Sequence, residues 1–137
     1  MNGPLTIDAS VFVSAFTPSE AAHQISKAFM RQVRDASLPI LVPTLLIPEI
    51  AAAIGRGQGK PDLGYAFALQ VSRYPNVTLI SLDENLAESA AEIAANHRLR
   101  GSDAVYAAVA RRFAATLVTL DAEQLERVRP VIAVRMP

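Results

Sequence analysis

Short apolar runs alternate along the chain with longer stretches of helical spacing, and this alternation constrains the fold more than any other feature. The apolar runs are residues 5–13, 39–43, 77–80, 116–119 and 131–134. Each run has the length of a buried strand, and a helix-length segment separates it from the next. Strands that alternate with helices form a mostly parallel sheet covered on both faces. The sequence therefore predicts an α/β sandwich.

The predicted helices begin at recognisable start signals. Thr17-Pro18-Ser19-Glu20 is typical of a capping box with proline at the first helical position, and the helix after it is predicted to direct Ile25, Phe29 and Val33 inward. Ser102 is predicted to cap a later helix that begins at Asp103. The other predicted helices lie around Glu49 with an end at Gly55, and at about residues 63–74, 83–97 and 122–127.

Composition limits the class of protein. The chain has 137 residues, of which 51% are apolar and 19% charged, so one globular domain spanning 1–137 is expected. The formal net charge of +0 gives no general attraction to nucleic acid or to anionic membranes, and the absence of cysteine excludes disulfides and thiolate metal sites. With neither a signal-like N-terminus nor an apolar run of membrane-spanning length, the expectation is a soluble, cytoplasmic protein without membrane contact.

Acidic residues near predicted strand ends are the candidate functional groups. Asp8 interrupts the apolar run LTIDASVFV, where an ionised carboxylate costs several kcal/mol unless a partner compensates it. Glu49 lies in a helix that has hardly any polar face. Asp121, like Asp8, lies where a predicted strand ends. Asp103 and Asp83 suit a helix N-terminus, where exposed N–H groups bind a carboxylate, so both have an ordinary structural explanation. Asp8 and Glu49 are predicted to face inward.

Four segments in order carry a family resemblance. They are IDASVFVSAF, PTLLIPEIAAAI, LRGSDAVYAAVA and TLVTLDAEQL, and together they reach from the first strand to the last. In this order the segments resemble the PIN-domain ribonucleases, and most of all the VapC-type toxins of toxin–antitoxin pairs. The resemblance implies a PIN-like three-layer α/β/α sandwich over 1–137, with a sheet of about five strands in the order 3-2-1-4-5.

The resemblance also implies a site, an activity and partners. It implies a metal-dependent endoribonuclease that acts on RNA and is bound by a cognate antitoxin. Pro48 departs from the family pattern beside one of the expected ligands. Alanine- and leucine-rich helices additionally offer apolar surface for a homodimer. The expected catalytic and metal-binding acids are Asp8, Glu49, Asp103 and Asp121, and the expected pocket hydroxyls are Ser10 and Thr119.

The chemistry of these side chains agrees with such a site. Clustered carboxylates repel one another and take up protons unless cations neutralise them. Oxygen ligands without histidine or cysteine favour Mg²⁺ or Mn²⁺ over zinc. Such ions lower the pKa of a bound water and stabilise the leaving oxygen when a phosphodiester is hydrolysed. A metal ion would then be the counter-charge of Asp8.

Basic residues are predicted to contact RNA phosphates. Arg56 and Lys60 lie in the loop at residues 55–61, which differs from a phosphate-binding loop because it follows a helix and has proline after Gly-Lys. Arg100, just before Asp103, is the third predicted RNA contact. The main alternative function is a catalytically silent PIN fold that binds RNA or protein.

Two other phosphoryl-transfer folds also place an acid after the first strand. A haloacid-dehalogenase-like phosphatase needs a second aspartate where this chain has Ser10, and a receiver domain needs a late lysine, whereas the only lysines are Lys27 and Lys60. Both alternatives have less support than the PIN-like fold.

Asp121 and Asp83 have nearly the same local sequence, but the implied strand order places Asp121 beside the Asp8 strand and Asp83 at the sheet edge.

Overall fold

The computed structural model describes residues 2–137. Within that range five parallel strands form one sheet in the order β3-β2-β1-β4-β5, and seven helices accompany them. The strands are β1 Leu5–Ile7, β2 Ile40–Pro43, β3 Val77–Ile80, β4 Thr116–Val118 and β5 Val134–Arg135. The helices are α1 Ala9–Phe16, α2 His23–Asp35, α3 Leu46–Gly55, α4 Pro61–Ser72, α5 Glu84–His97, α6 Gly101–Arg112 and α7 Ala122–Val128. The predicted α/β fold and strand order are confirmed.

The centre of the sheet aligns the chain segments that carry the candidate acids. β1 pairs with β4 in parallel, with Ile7 opposite Val118. The backbone N–H of Asp8 continues this ladder by donating to the carbonyl of Val118 at 3.1 Å. Because both strands end here, Asp8 and Thr119 emerge side by side at the carboxyl edge of the sheet. The order of the strands reverses at this pair, which is where open α/β sheets bind their ligands.

Helix α6 contains the longest run of buried residues in the described chain. It packs across β1, β2 and β4, and every residue from 104 to 110 is buried. Four of these seven side chains are alanine, so the helix lies close to the sheet. Helix α5 packs against α6, while α1 packs against α2 and α3. Asp103, in the first turn of α6, is thus carried by a rigid element of the core.

The first apolar run is not a single strand. The prediction for residues 5–13 was wrong beyond Ile7, since α1 begins at Ala9 and includes Val11 and Phe12, which are both buried. Periodicity cannot distinguish a buried helix from a buried strand in so short an apolar run. Asp8 therefore lies between a strand and a helix, as its N-cap.

Three predicted element ends were also wrong. Thr17 ends α1 and does not cap α2, which begins at His23 and leaves Ile25 61% exposed. Arg100, rather than Ser102, occupies the N-cap position of α6. The last strand is Val134–Arg135, later than the predicted run, because the preceding apolar residues form a turn after α7.

Helices α3 and α4 form a tight hairpin around Gly64. A Cβ atom at this position would lie 2.7 Å from the backbone nitrogen of Gly55 and 2.8 Å from the carbonyl oxygen of Ala51. Real side chains do not make such contacts, so only glycine allows the two backbones to approach this closely. The hairpin fixes the position of α3, which carries Glu49.

Candidate active site

Asp8 is fixed by short-range hydrogen bonds at the point where β1 meets α1. Its carboxylate accepts a hydrogen bond from the backbone N–H of Ser10 at 3.0 Å and a second, short one from the Ser10 hydroxyl. The same hydroxyl oxygen accepts from the backbone N–H of Leu120 at 3.3 Å. Ser10 thus connects Asp8 to the segment that follows β4.

The charge of Asp8 has no basic partner. Its side chain is 6% exposed, and burial raises its pKa above the ordinary value; the hydrogen bonds from Ser10 oppose this shift, while the negative charge of Asp103 adds to it. No lysine, arginine or histidine among residues 2–137 forms an ion pair with Asp8. An ionised Asp8 therefore lacks a counter-charge within the described chain.

Glu49 is oriented by a tyrosine on the buried helix. The hydroxyl of Tyr106 donates to Oε1 of Glu49 at 2.6 Å. Partial burial raises the pKa of Glu49, the Tyr106 hydrogen bond lowers it, and the charge of Asp103 raises it. Pro48 does not disturb this geometry, because it lies in the first turn of α3, where backbone N–H groups have no partner within the helix.

Asp103 and Asp121 share one arginine. Nε of Arg100 donates to Oδ2 of Asp103 at 3.1 Å, and its Nη2 lies 3.6 Å from Oδ2 of Asp121. Asp121 also caps α7 by accepting from the backbone N–H groups of Glu123 and Gln124 at 2.9 and 3.2 Å. These groups line a cavity of about 240 Å³, called the acidic pocket below; its lining is Leu99, Arg100, Asp103, Asp121, Glu123, Gln124 and Arg127.

A buried glutamine connects the parts of the site and was missed by the sequence analysis. Oε1 of Gln124 accepts from the Thr119 hydroxyl at 2.8 Å, and its Nε2 donates to the backbone carbonyl of Asp103 at 3.4 Å. The Thr119 oxygen accepts in turn from the N–H of Asp121 at 3.1 Å. The role of Tyr106 was missed too, although its position three residues after Asp103 on one helix was an available signal.

The structure brings the predicted acids together only in pairs. Asp103 acts electrostatically on both Asp8 and Glu49, and it is joined to Asp121 through Arg100. Within residues 2–137, no three acidic or histidine side chains are grouped closely enough to hold one metal ion. The acids therefore form a connected series around the carboxyl ends of β1 and β4.

Other residues considered for the site lie outside this series. Arg56 and Lys60 are exposed in the connector between α3 and α4 and do not line the acidic pocket. Asp83 caps α5 beyond the edge strand β3. Glu123 lines the pocket but forms an ion pair with Arg127. A larger cavity of about 760 Å³ lies between α2 and the amino ends of β2 and β3, and none of the candidate acids lines it.

The sequence matches one protein family over most of its length. Residues 5–129 match the family described as the PIN domain. The chain belongs to the PIN-domain family. The matched range includes all of the predicted site residues. No curated protein sequence matches the chain significantly.

Solved structures with the same fold include several toxin–antitoxin proteins. VapC20 of Mycobacterium tuberculosis, described as a toxin that cleaves the sarcin–ricin loop, is 18% identical with a TM-score of 0.73, over 88% of this chain and 92% of that one. VapBC2 of Rickettsia felis, bound to a promoter DNA fragment, is 12% identical with a TM-score of 0.73, over 98% of both chains. A toxin–antitoxin complex from Klebsiella pneumoniae is 15% identical with a TM-score of 0.66, over 97% of this chain and 96% of that one.

Proposed function

We propose that this PIN domain is a metal-dependent endoribonuclease that hydrolyses RNA phosphodiester bonds, and that it is the toxin of a toxin–antitoxin pair. The observation that carries the proposal is Asp8. A buried carboxylate without a basic partner, at the point where the strand order reverses, is costly unless a bound cation supplies the missing charge. Family membership and the VapC-like fold support the same reading.

The donor atoms around Asp8 fit a hard divalent cation. Only oxygen donors are available, from the carboxylates of Asp8, Glu49, Asp103 and Asp121 and from the Ser10 hydroxyl. Such a set favours Mg²⁺ or Mn²⁺. Since Mg²⁺ keeps several waters and needs only one or two carboxylates, pairs drawn from these four acids would hold it, in agreement with their pairwise arrangement. When bound, the ion would lower the pKa of a water molecule and neutralise charge that develops on the phosphate.

The remaining residues of the site would orient its acids and bind the substrate. Ser10 and Thr119 fix the end of β1 against the end of β4, and Tyr106 holds one oxygen of Glu49. Ligand orientation by such hydrogen bonds commonly affects activity tenfold or more. Arg100, Arg56 and Lys60 would contact RNA phosphates, since these contacts need positive charge rather than a base-specific geometry.

The proposed partners follow from the toxin assignment. Proteins of the same fold have been crystallised as toxin–antitoxin complexes, one of them with promoter DNA. We infer a small cognate antitoxin that covers the acidic site, and an arginine of that antitoxin would complement its charge. A homodimer is also inferred. A protein that is monomeric at micromolar concentration and harmless when expressed alone would argue against the toxin assignment.

The decisive experiment is RNA cleavage with and without a chelator. The purified protein is incubated with a mixture of structured RNAs in Mg²⁺ or Mn²⁺, then with excess EDTA, beside the variant Asp121→Asn. We expect fragments with the wild type in metal, and none with EDTA or with the variant. If no RNA is cut at any metal concentration, or if EDTA leaves cleavage unchanged, the protein is not a metal-dependent nuclease.

One observation favours the alternative of a silent binding module. The ion pairs of Arg100 with Asp103 and Asp121 already neutralise part of the acidic pocket without any metal. The cleavage assay separates the two functions, because a silent module binds RNA or protein without metal-dependent turnover.

A further inference from the structure

Arg100 stands apart from the other arginines by what it contacts. Most other ion pairs of the described chain join exposed side chains, such as Arg34 to Asp35 and Arg111 to Glu92, and the 32% exposed Arg127 pairs with Glu123, which is 65% exposed. Arg100 instead reaches two recessed acids, since the side chains of Asp103 and Asp121 are 17% and 35% exposed. It also acts electrostatically on Glu49 and Glu123. A single guanidinium therefore acts on three of the four candidate acids, Glu49, Asp103 and Asp121.

The anchoring of this side chain is weak. The Arg100 side chain is 77% exposed, and its only hydrogen bond among residues 2–137 goes to Asp103. An ion pair whose cation is this exposed contributes little to stability, because water screens its charge and the long side chain loses rotational freedom. The guanidinium can therefore leave the acids without disturbing α6, whose first turn only begins after Arg100.

We propose that Arg100 is a resident counter-ion of the Asp103–Asp121 pair, which a divalent metal must displace before the site is loaded. The inference rests on the proposed function, because it presupposes that these acids bind a metal. A divalent ion bound between these two carboxylates would repel the guanidinium that now joins them, so the two cations compete for the same pair of acids. Metal binding thus breaks the two ion pairs and moves the guanidinium out towards solvent.

This exchange explains how the acids are kept from repelling one another before metal arrives. Without a cation, Asp103 lies near Asp8 and Glu49 and raises the pKa of both. The exposed guanidinium of Arg100 offsets this repulsion until a divalent ion replaces it. Once displaced, Arg100 remains at the mouth of the acidic pocket, where its planar guanidinium suits an RNA phosphate.

The test measures metal affinity directly, without RNA. Mn²⁺ binding is measured by isothermal titration calorimetry for the wild type, Arg100→Gln and the control Arg98→Gln. Arg98 is exposed, lies two residues earlier, and none of the ion pairs between described side chains involves it. Both variants lose one positive charge, so the control removes the general electrostatic effect. We expect Arg100→Gln to bind Mn²⁺ roughly five- to tenfold more tightly, and Arg98→Gln to change affinity less than twofold.

A second readout follows the side chain itself. The ¹⁵Nε–Hε NMR signal of Arg100, assigned by its loss in Arg100→Gln, should report a hydrogen-bonded proton without metal and a solvent-exchanging one in Mg²⁺. Equal or weaker Mn²⁺ affinity in Arg100→Gln, or an Nε signal that ignores Mg²⁺, overturns the counter-ion proposal and leaves the proposed nuclease intact. Failure of all three proteins to bind Mn²⁺ overturns both.

Discussion

Asp8 has two roles that make opposite demands on its charge. As the N-cap of α1 it accepts hydrogen bonds from Ser10, which favour the ionised form. As a buried group it loses the solvation that an ionised carboxylate needs, and this effect is the larger one, so its pKa is raised. A bound cation would therefore stabilise the ionised form of Asp8, which burial in the protein alone disfavours.

Replacing the Asp8 carboxylate should raise the stability of the metal-free protein and lower its activity. Asp8→Asn keeps an N-cap oxygen but removes the charge, so we expect a higher unfolding midpoint than wild type in urea at pH 7 with EDTA. RNA cleavage in Mg²⁺ should fall at least about 100-fold, because a metal ligand is lost. A variant less stable than wild type in EDTA would contradict the idea that Asp8 is an uncompensated buried charge.

The pH dependence of stability follows from the direction of this shift. The pKa of Asp8 is higher in the folded protein than the ordinary value of 3.8 expected in the unfolded chain. Between these two values the folded state binds more protons, so the free energy of unfolding falls as pH rises through that interval. Urea unfolding from pH 3.5 to 8 in EDTA should show this loss in the wild type and a flatter profile in Asp8→Asn.

Tyr106 provides a test of the hydrogen bond that orients Glu49. Tyr106→Phe keeps the buried ring and removes the 2.6 Å contact. We expect a stability change of about 1 kcal/mol and cleavage reduced by roughly 10- to 100-fold. Because this hydrogen bond lowers the pKa of Glu49, the acid side of the pH–rate profile should also move to higher pH. An unchanged profile would mean that Tyr106 only fills space.

Two helix caps of the same design differ in the strand that precedes each. Asp121 caps α7 and accepts from two backbone N–H groups, and Asp83 caps α5 and accepts from the N–H of Leu86 at 2.8 Å. The strand before Asp121 is β4, next to β1, whereas the strand before Asp83 is β3 at the edge. With β2 between them, Asp83 lies about 10 Å from the Asp8 strand, too far to share its site.

The two asparagine substitutions should therefore have different effects. Asp121→Asn is expected to abolish cleavage while the fold is kept. Asp83→Asn is expected to keep near-normal activity and to cost at most about 1 kcal/mol, since asparagine also caps helices. Cleavage rates and melting temperatures measured side by side decide between them. An inactive Asp83→Asn together with an active Asp121→Asn would show that the site has been assigned to the wrong strand.

Element types were largely predictable from the sequence, and element ends were not. The runs at residues 39–43 and 77–80 lie between turn residues and became β2 and β3. The apolar run through Asp8 is apolar at nearly every position, so only packing against the sheet decides that Val11 belongs to a helix. Gln124 was missed because its role depends on a contact with a distant segment, which no local pattern encodes. The spacing of Tyr106 from Asp103 was a local signal, but its partner Glu49 lies 57 residues away in the sequence.

At the scale of the whole molecule, a bound ion should stabilise the fold. A metal that binds only the folded state at ten times its dissociation constant adds about 1.4 kcal/mol, or roughly 3–5 °C in melting temperature for a chain of this size. We expect this shift with Mg²⁺ or Mn²⁺ in thermal unfolding of the wild type, and most of it lost in Asp8→Asn. No helix within residues 2–137 is both long and apolar enough to span a membrane.

The missing side chain at Gly64 has a consequence for how damaging mutations would be distributed along the gene. If the protein is toxic to its host, cells that survive its expression carry substitutions that inactivate it. Many such survivors would change an acid of the site, but position 64 would also be recovered repeatedly. Any larger residue there forces the backbones of α3 and α4 apart and so displaces α3, which carries Glu49. A position with no functional group would then be as intolerant of change as a catalytic one.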